Sequence, residues 1–245
     1  MNDKLQQIDT LLGELNQYRA NENYRITEAL EIEYTYDSNR IEGNTLTLHE
    51  TDMVVNKGIT IAGKGLREHL EAINHKEAID FIKDIAQKKE PISERVLLDI
   101  HAIVLHSIDK DNAGKYRRVP VIISGSKHIP PQPYLLQPKM DELFQWYEAN
   151  KDSMHPVVLA VQMHEKLVSV HPFIDGNGRI ARLLMNLILM QHGYPIANIK
   201  GDNETRRRYY ETLEEASSGD NSAFVEFIED VVIQSLTYYL KIIRG

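Results

Sequence analysis

The segment His171–Arg182, HPFIDGNGRIAR, concentrates the side chains in this 245-residue sequence that are best suited to chemistry. It lies between two apolar stretches that predict helices. Pro172 disfavours helix at the residue before it, and the next helix is expected to begin near Arg179. The Gly-Asn-Gly at 176–178 tolerates positive φ, so several backbone N–H groups can turn toward one point at a helix N-terminus. The segment therefore predicts an anion-binding loop.

The charges in this segment point to phosphate. Arg179 and Arg182 share one helix face, although cations in a first turn oppose the helix dipole. A bound polyanion would offset that cost, and arginine suits bidentate phosphate contact. Asp175 is of the type that binds Mg²⁺ together with phosphate oxygens, and His171 can serve as a general base or acid near neutral pH.

Other interpretations of these residues are less favourable. A Gly-Asn-Gly turn can be only a connector, but its combination with an imidazole, a carboxylate and two guanidiniums favours chemistry. The segment is neither a P-loop nor a Rossmann fingerprint, because no strand precedes it. A metal hydrolase is disfavoured, because His164-Glu165 and His171 do not have the H-E-x-x-H spacing and no third ligand is evident.

Composition excludes several classes of protein. The chain contains no cysteine, which removes disulfides, thiol nucleophiles and Cys-ligated metals. With 28 Lys and Arg against 36 Asp and Glu, the net charge of −8 argues against a nucleic-acid partner. No apolar run approaches the ~18 residues of a membrane span, and no secretory signal is evident, so no membrane partner and a cytoplasmic location are expected.

Helical periodicity dominates the chain and predicts an all-α fold with a short β-hairpin. Helices are expected at positions 5–15, 24–39, 66–87, 95–106, 156–170, 179–192, 204–217 and 223–243, with Ser93 as an N-cap. The hairpin is expected at Val119–Pro133, around a Gly-containing turn. We expect an N-terminal helical layer at 1–60, a core at 61–220 and a C-terminal helix at 221–245. The N-terminal helices either cover the core or form a homo-oligomer contact.

The loop resembles the Fic family signature HPFx[DE]GN[GK]RxxR at every specified position, and the resemblance extends over roughly residues 30–217. It implies a Fic-type helical core with a flap. It also implies a nucleotidyltransferase that moves AMP from ATP onto a Ser, Thr or Tyr hydroxyl of a target protein and releases pyrophosphate. Related members that phosphorylate carry Lys where this chain has Gly178, so adenylylation is expected.

The resemblance also assigns roles to single residues. His171 would deprotonate the attacking hydroxyl, and Asp175 would hold Mg²⁺, with ATP as co-substrate. The phosphates would be cradled or neutralised by Gly176, Asn177, Gly178, Arg179 and Arg182. Tyr209 and Tyr210 would line the adenosine pocket.

The stretch 38–43, SNRIEG, resembles the inhibitory motif [ST]xxxE[GN] of the family. Glu42 would pair with Arg182, so that ATP binds with its α-phosphorus badly aligned, and Ser38 would hydrogen-bond to Glu42. The same residues also read as a helix C-terminus with Gly43 in the C′ position, and both interpretations can hold together.

The stretch at Val119–Pro133 resembles the family's flap. Ile123, Ser124 and Gly125 would pair with an extended piece of the target by β-augmentation; the alternative is a surface hairpin without a partner. Two further functions stay open. One is a hydrolase that removes AMP at the same site, and the other is a non-catalytic regulator that binds nucleotide.

Overall fold

The computed structural model describes residues 3–244, and within that range the chain is all-helical. These described residues form ten α-helices: α1 Asp3–Gln17, α2 Tyr24–Ile41, α3 Leu48–Lys57, α4 Leu66–Lys88, α5 Glu94–Val104, α6 Leu136–Asn150, α7 Pro156–Val170, α8 Asn177–Gln191, α9 Asn203–Ser217 and α10 Ser222–Arg244. None of these helices is both long and apolar enough to cross a membrane. The predicted helical core is confirmed, and Ser93 caps α5 by accepting the Val96 N–H at 3.4 Å.

Helix α8 forms the centre of the core. It is apolar almost all round, so it is buried on every side, with α7 along one flank and α4 and α5 along another. The one polar residue in its apolar run, Asn186, is fully buried. Its side chain donates to the carbonyls of Arg182 and Ala197 at 3.1 and 3.2 Å and accepts the Ala197 N–H at 2.8 Å. The N-terminus of this rigid helix carries the candidate loop.

The periodicity analysis did not predict α3 and α6, although the sequence carries signals for both. Thr47 and Glu50 form a complete capping box at the start of α3. In α6, Met140, Leu143 and Tyr147 are buried at helical spacing. These helices extend the all-α architecture without adding a residue to the loop.

The predicted β-hairpin at Val119–Pro133 is wrong, since the described residues contain no strand. A turn does form, where Ser126 N–H donates to Ile123 O at 3.2 Å, but the two arms do not pair. Prolines at 120, 130, 131 and 133 remove the N–H groups that a ladder needs. The Arg117 guanidinium joins the arms instead, donating to Val119 O at 3.0 Å and Pro131 O at 2.6 Å. We keep the name flap for residues 119–133.

The C-terminal part of α2 is fixed to the core by the connection between α8 and α9. Asp37 accepts the Gly201 N–H at 2.9 Å and the Asn198 amide at 2.7 Å, and it pairs with Lys200 at 3.2 Å. A Cβ at Gly201 would lie 2.9 Å from Arg40 Cβ and 2.9 Å from Asp37 O, so only glycine allows this approach. These contacts hold the last turns of α2 against the core.

The N-terminal half of α2 is packed more loosely. It borders a cavity of about 1090 Å³, whose lining includes Leu30, Tyr194 and Tyr238. The acidic Glu31 on its wall is already paired with Lys76 at 3.2 Å. None of the loop residues lines this cavity. The cavity is therefore large, but it does not contain the site residues predicted from the sequence.

Candidate active site

The loop begins with an unusual backbone conformation at His171. This residue ends α7 with φ 48° and ψ 58°, in the left-handed region that non-glycine residues rarely adopt. Its N–H donates to Leu167 O at 3.0 Å. Such strain persists only where surrounding contacts enforce it, and it is frequent at functional sites.

Those enforcing contacts come from Arg117, which the sequence analysis did not single out. Its Nε donates to His171 O at 2.9 Å, and its backbone N–H donates to Pro172 O at 2.9 Å. Its side chain is almost fully buried and also joins the arms of the flap. Arg117 therefore ties the start of the loop to the flap. Nothing in the local sequence distinguishes it from its neighbour Arg118.

Asn177 closes the loop on itself. Its amide oxygen accepts the Phe173 N–H at 3.0 Å, and its amide nitrogen donates to Phe173 O at 2.9 Å. Phe173 is fully buried and stacks on His101 with ring centroids 3.7 Å apart, so it anchors the loop in the core. Gly176, at φ 83°, supplies the left-handed residue that starts α8.

His101 supports the loop from behind, a role the sequence did not reveal. Its Nδ1 accepts the Gly114 N–H at 2.9 Å, so Nε2 carries the proton and donates to Asp175 O at 3.2 Å. Burial lowers the pKa of His101 to about 4, which keeps this tautomer neutral. The backbone of the loop is thereby fixed at the residue predicted to bind metal.

The Asp175 carboxylate lies among cations. Oδ1 accepts the Gly176 N–H at 2.7 Å and lies 3.3 Å from Arg179, while Oδ2 lies 2.5 Å from Arg67. Burial alone would raise the pKa of Asp175, but Arg179, the Gly176 N–H and Arg67 together lower it. The carboxylate is ionised, as a metal ligand must be.

These residues fit Mg²⁺ that arrives with phosphate. Among residues 3–244, no group of three or more His, Asp or Glu side chains is arranged to hold a metal ion. Asp175 is the single acid of the loop, and Mg²⁺ commonly takes one or two protein carboxylates, with phosphate oxygens and waters completing its shell. Binding there requires Arg67 to release Oδ2.

Arg179 is buried, and some of its N–H donors are unpaired within the described chain. It is 2% exposed, and its Nε and Nη1 have no hydrogen-bond partner within the described chain. Its ion pair with Glu71 is long, at 3.6 Å. Buried donors without acceptors are costly and call for an explanation. An anion bound at the N-terminus of α8 would supply the missing acceptors.

Arg182 is held almost entirely by α2. Its Nη2 donates to Glu42 Oε1 at 2.7 Å and to Ser38 O at 2.9 Å, and its Nε donates to Ser38 Oγ at 3.0 Å. Ser38 thus bonds to Arg182, whereas the sequence analysis expected it to bond to Glu42. Burial alone would lower the pKa of Arg182, but the facing Glu42 carboxylate raises it above its usual value.

Gly178 gives Glu42 room to reach Arg182. A Cβ at this position would collide with Glu42 Oε1 and lie 3.1 Å from Arg182 Nη1. Glu42 therefore rests directly on the predicted phosphate loop. The structure places a carboxylate where the sequence analysis expects a phosphate.

The two tyrosines of α9 lie in different environments. Tyr209 is 1% exposed and lies behind Arg182, with its hydroxyl 3.4 Å from Nη1. Tyr210 is 42% exposed, and its hydroxyl donates to Ile41 O at 3.1 Å, at the end of α2. Of the two, only Tyr210 presents a ring that a ligand can reach.

The flap is tied to α9 beside the loop. The Ser126 hydroxyl and the Lys127 N–H both donate to the Glu214 carboxylate, the latter at 2.8 Å. The predicted contact residues Ile123, Ser124 and Gly125 lie in and before the turn, and Ile122 next to them is 92% exposed. Glu214 is a further residue that the sequence analysis did not assign.

The loop lies within a stretch of the chain that matches a known protein family. The sequence profile of the Fic/DOC family matches residues 91–189. The chain is 38% identical over 210 residues to a protein named protein adenylyltransferase Fic from Nematostella vectensis, covering 85% of this chain and 48% of that protein.

Two solved structures have the same fold. Fic-1 of C. elegans (aa134–508) superposes with a TM-score of 0.87 at 30% identity, covering 98% of this chain and 72% of that one. A Fic domain containing signaling protein from Bacteroides thetaiotaomicron superposes with a TM-score of 0.88 at 29% identity, covering 99% and 97%.

The chain spans about half the length of the curated relative, but it covers most of both solved structures. Three observations point to the same family. They are the sequence of the loop, its position at the start of a buried helix, and the superposition along nearly the whole chain. The protein belongs to the Fic family.

Proposed function

We propose that this protein transfers AMP from ATP to a hydroxyl side chain of a target protein and releases pyrophosphate. One observation carries the proposal. An imidazole, a carboxylate and two buried guanidiniums converge at the N-terminus of α8, and Arg179 there has N–H groups without acceptors. That arrangement suits a polyphosphate beside a base. The name of the curated relative, protein adenylyltransferase Fic, supports the same reaction.

The reaction needs a base and stabilisation of phosphate charge. Burial lowers the pKa of His171 to about 4, so its imidazole is neutral at physiological pH and can accept a proton. The hydroxyl oxygen attacks the α-phosphorus as its proton passes to His171. The bond from that phosphorus to the oxygen bridging to the β-phosphorus breaks, and pyrophosphate leaves.

In this scheme the negative charge of the phosphates would be stabilised by the loop residues and by Mg²⁺. Arg179 donates its free N–H groups to the phosphates, and the N-terminus of α8 adds the positive end of its dipole. Asp175 would hold Mg²⁺, which would supply further neutralisation of phosphate charge. Gly178, in place of the Lys found in phosphorylating relatives, favours adenylylation, and Tyr210 offers a ring to the adenosine.

We assign Glu42 as a built-in inhibitor of this reaction. Its carboxylate occupies Arg182 at 2.7 Å, so that guanidinium is unavailable to the γ-phosphate. ATP and Glu42 are rival anions for one cation, and ATP that binds beside Glu42 is misaligned for attack at its α-phosphorus. The flap, with Ile123, Ser124 and Gly125, is the proposed docking edge for an extended segment of the target.

Labelling experiments test the proposal. Wild type, Glu42→Gly and His171→Ala in the Glu42→Gly background are each incubated with Mg²⁺, cell lysate and one labelled nucleoside triphosphate. We expect Glu42→Gly to raise labelling from α-labelled ATP strongly. His171→Ala should then reduce it by ~10²–10⁴-fold without changing ATP affinity.

Other outcomes would contradict parts of the proposal. Labelling unchanged by Glu42→Gly would remove the inhibitory role. Full labelling by His171→Ala would remove the base. ATP binding with no modified protein in any variant would favour a nucleotide-binding regulator.

One feature favours a second candidate, the reverse reaction. The side chain of Glu42 is 33% exposed at the loop, so its carboxylate is open to solvent beside the site and can orient a water for removal of AMP from a modified protein. Released AMP, measured on a pre-modified target, separates the two. In the reverse reaction Glu42→Gly abolishes release, whereas an inhibitory Glu42 predicts gain of transfer.

A further inference from the structure

Behind Arg182 lies a buried chain of polar groups to which the proposed reaction assigns no role. Arg182 Nη1 is 3.4 Å from the Tyr209 hydroxyl, which in turn is 3.0 Å from His164 Nε2. The three residues belong to α8, α9 and α7, and none is more than 1% exposed. A chain of this kind links three helices through a single cation.

The hydrogen bonds in this chain can run in only one direction. A guanidinium donates and never accepts, so the Tyr209 oxygen accepts from Arg182. The Tyr209 proton then goes to His164 Nε2, which requires a neutral imidazole with its proton on Nδ1. Burial, and secondarily the charge of Arg182, lowers the pKa of His164 to about 3, so the acceptor persists at physiological pH.

The fold by itself does not explain His164. Its Nδ1 is buried and has no hydrogen-bond partner among residues 3–244, and the rings of Phe224 and Tyr209 lie 5.1 and 5.8 Å away. An unpaired buried N–H destabilises the folded state, and an apolar side chain in this position would avoid that cost. A buried polar residue that lowers stability is often kept for function.

The contacts of Arg182 suggest what that function is. Its contacts with Ser38 and Glu42 come from the last turn of α2 and from the residue that follows it. If α2 moves away, all of them are lost together, and Tyr209 remains as the partner from the core. Tyr209 also lies under the guanidinium, with Arg182 Cζ 5.8 Å from the ring centroid.

We propose that Tyr209 and His164 are positioning residues, which hold the Arg182 guanidinium toward the terminal phosphate of ATP once Glu42 has released it. This inference rests on the proposed function, which gives Arg182 its phosphate. Tyr209 acts through its hydroxyl, and His164 acts by fixing the direction of that hydroxyl. Neither residue touches the reacting atoms.

The test compares ATP with AMP, since AMP lacks the terminal phosphates. In the Glu42→Gly background, His164→Leu and Tyr209→Phe are expected to weaken Mg²⁺-ATP affinity about tenfold, measured by calorimetry, and to leave AMP affinity unchanged. His164→Gln, which can present an acceptor near the Nε2 position, should restore ATP affinity. Tyr147→Phe in α6 removes a buried hydroxyl elsewhere and is the matched control.

Measurements of thermal stability and of the additivity of ATP-binding losses distinguish a positioning role of these residues from a packing role. His164→Leu should melt close to its parent, because it removes the orphaned Nδ1–H but leaves the Tyr209 hydroxyl proton without an acceptor. The double variant of His164→Leu and Tyr209→Phe should bind ATP no more weakly than the worse single variant, because both break one chain. Loss of AMP affinity in the same proportion as ATP affinity would overturn the inference, and so would full additivity.

Arg182→Ala distinguishes the inference from the function on which it rests. If Arg182→Ala weakens ATP binding while His164→Leu and Tyr209→Phe do not, the inference fails and the proposed function stands. If Arg182→Ala leaves ATP affinity and labelling unchanged, the proposed role of Arg182 fails, and the inference fails with it. Should His164→Leu not fold, Tyr209→Phe keeps the ring and carries the test alone.

Discussion

At the scale of single residues, His171 combines a strained backbone with a depressed pKa. Arg117 and the end of α7 hold it in the left-handed conformation, and burial favours its neutral form. Its Nδ1 has no hydrogen-bond partner among residues 3–244. An imidazole that is neutral well below pH 7 is a base that needs no prior deprotonation.

This pKa predicts the acid limb of the pH profile. Burial lowers the pKa of His171 to about 4, and the proposed base is active when neutral, so activity should fall only as the pH drops toward that value. Because Glu42 raises this pKa, its removal moves the limb no higher. For Glu42→Gly, kcat/KM should be flat from pH 8 to about 5. An acid limb with its midpoint near pH 6.5, while circular dichroism shows an intact fold, would contradict the assignment of His171 as the base.

At the scale of elements, α2 is a helix fixed at one end. Its last turns carry Ser38 and Glu42 to Arg182, and the Asp37 contacts with the 198–201 segment hold those turns in place. Its first turns border a cavity. Glu42 therefore lies at the better-held end of α2, and its release from Arg182 requires either rotation of its own side chain or loss of the Asp37 contacts.

Gly201→Ala should release part of the proposed inhibition by Glu42. The new Cβ would lie 2.9 Å from Arg40 Cβ and Asp37 O, so α2 must shift, and Glu42 shifts with it. Basal labelling from ATP should rise above wild type but stay below Glu42→Gly. Gly13→Ala in α1, where a Cβ meets nothing within 4 Å, is the control and should leave labelling unchanged. Equal labelling by Gly201→Ala and wild type would show that α2 tolerates the shift.

The turn of the flap is tied to α9 by the Glu214 carboxylate, which predicts how that turn can be freed. Glu214→Ala removes the acceptor of the Ser126 hydroxyl and the Lys127 N–H. Tryptic cleavage after Lys127, followed by mass spectrometry, should therefore accelerate, because local opening exposes the backbone. Glu215→Ala on the same helix should cleave at the wild-type rate. An unchanged rate in Glu214→Ala would mean that the flap is held by its other contacts.

At the scale of the whole molecule, buried histidines connect helices around the core. His101 bonds to the loop and to Gly114, and His164 bonds to Tyr209. Burial lowers their pKa values to about 4 and about 3. Both residues are therefore neutral in the folded protein at pH values where they would be charged in the unfolded chain.

Stability should consequently fall on mild acidification. The unfolded state takes up protons below about pH 6.5 and the folded state does not, so stability is complete above that pH and is lost as pH falls toward the folded pKa values. At pH 5, His101 and His164 should each cost roughly 2 kcal/mol of unfolding free energy. Urea titrations at pH 7 and 5 measure this loss. His164→Gln should lose less than wild type, and an equal loss would contradict the prediction.

Much of the loop could be predicted because its residues are contiguous. The stretch from His171 to Arg182 contains a helix boundary, a turn and the relevant charges. The types and spacing of its residues were therefore enough to predict an anion-binding loop. The pairing of Glu42 with Arg182, expected from a family resemblance, is present at 2.7 Å. The capping box of α3 was equally local and could have been found.

The supporting residues could not be predicted in this way. Four residues contact the site from distant parts of the chain, and no local sequence pattern distinguishes them. They are Arg117, His101, Glu214 and Arg67. The flap has a turn, as its glycine suggested, but prolines and a guanidinium replace the expected ladder.

The sequence by itself determined the helical core and the local chemistry of one loop, because both depend on periodicity and on neighbours along the chain. Only the tertiary structure decided that Tyr209 is buried behind Arg182, that Ser38 bonds to the arginine, and that Arg179 keeps unpaired donors. Burial and hydrogen-bond partners depend on which helices pack together, and side chains far apart in sequence acquire their roles only when that packing brings them within bonding distance.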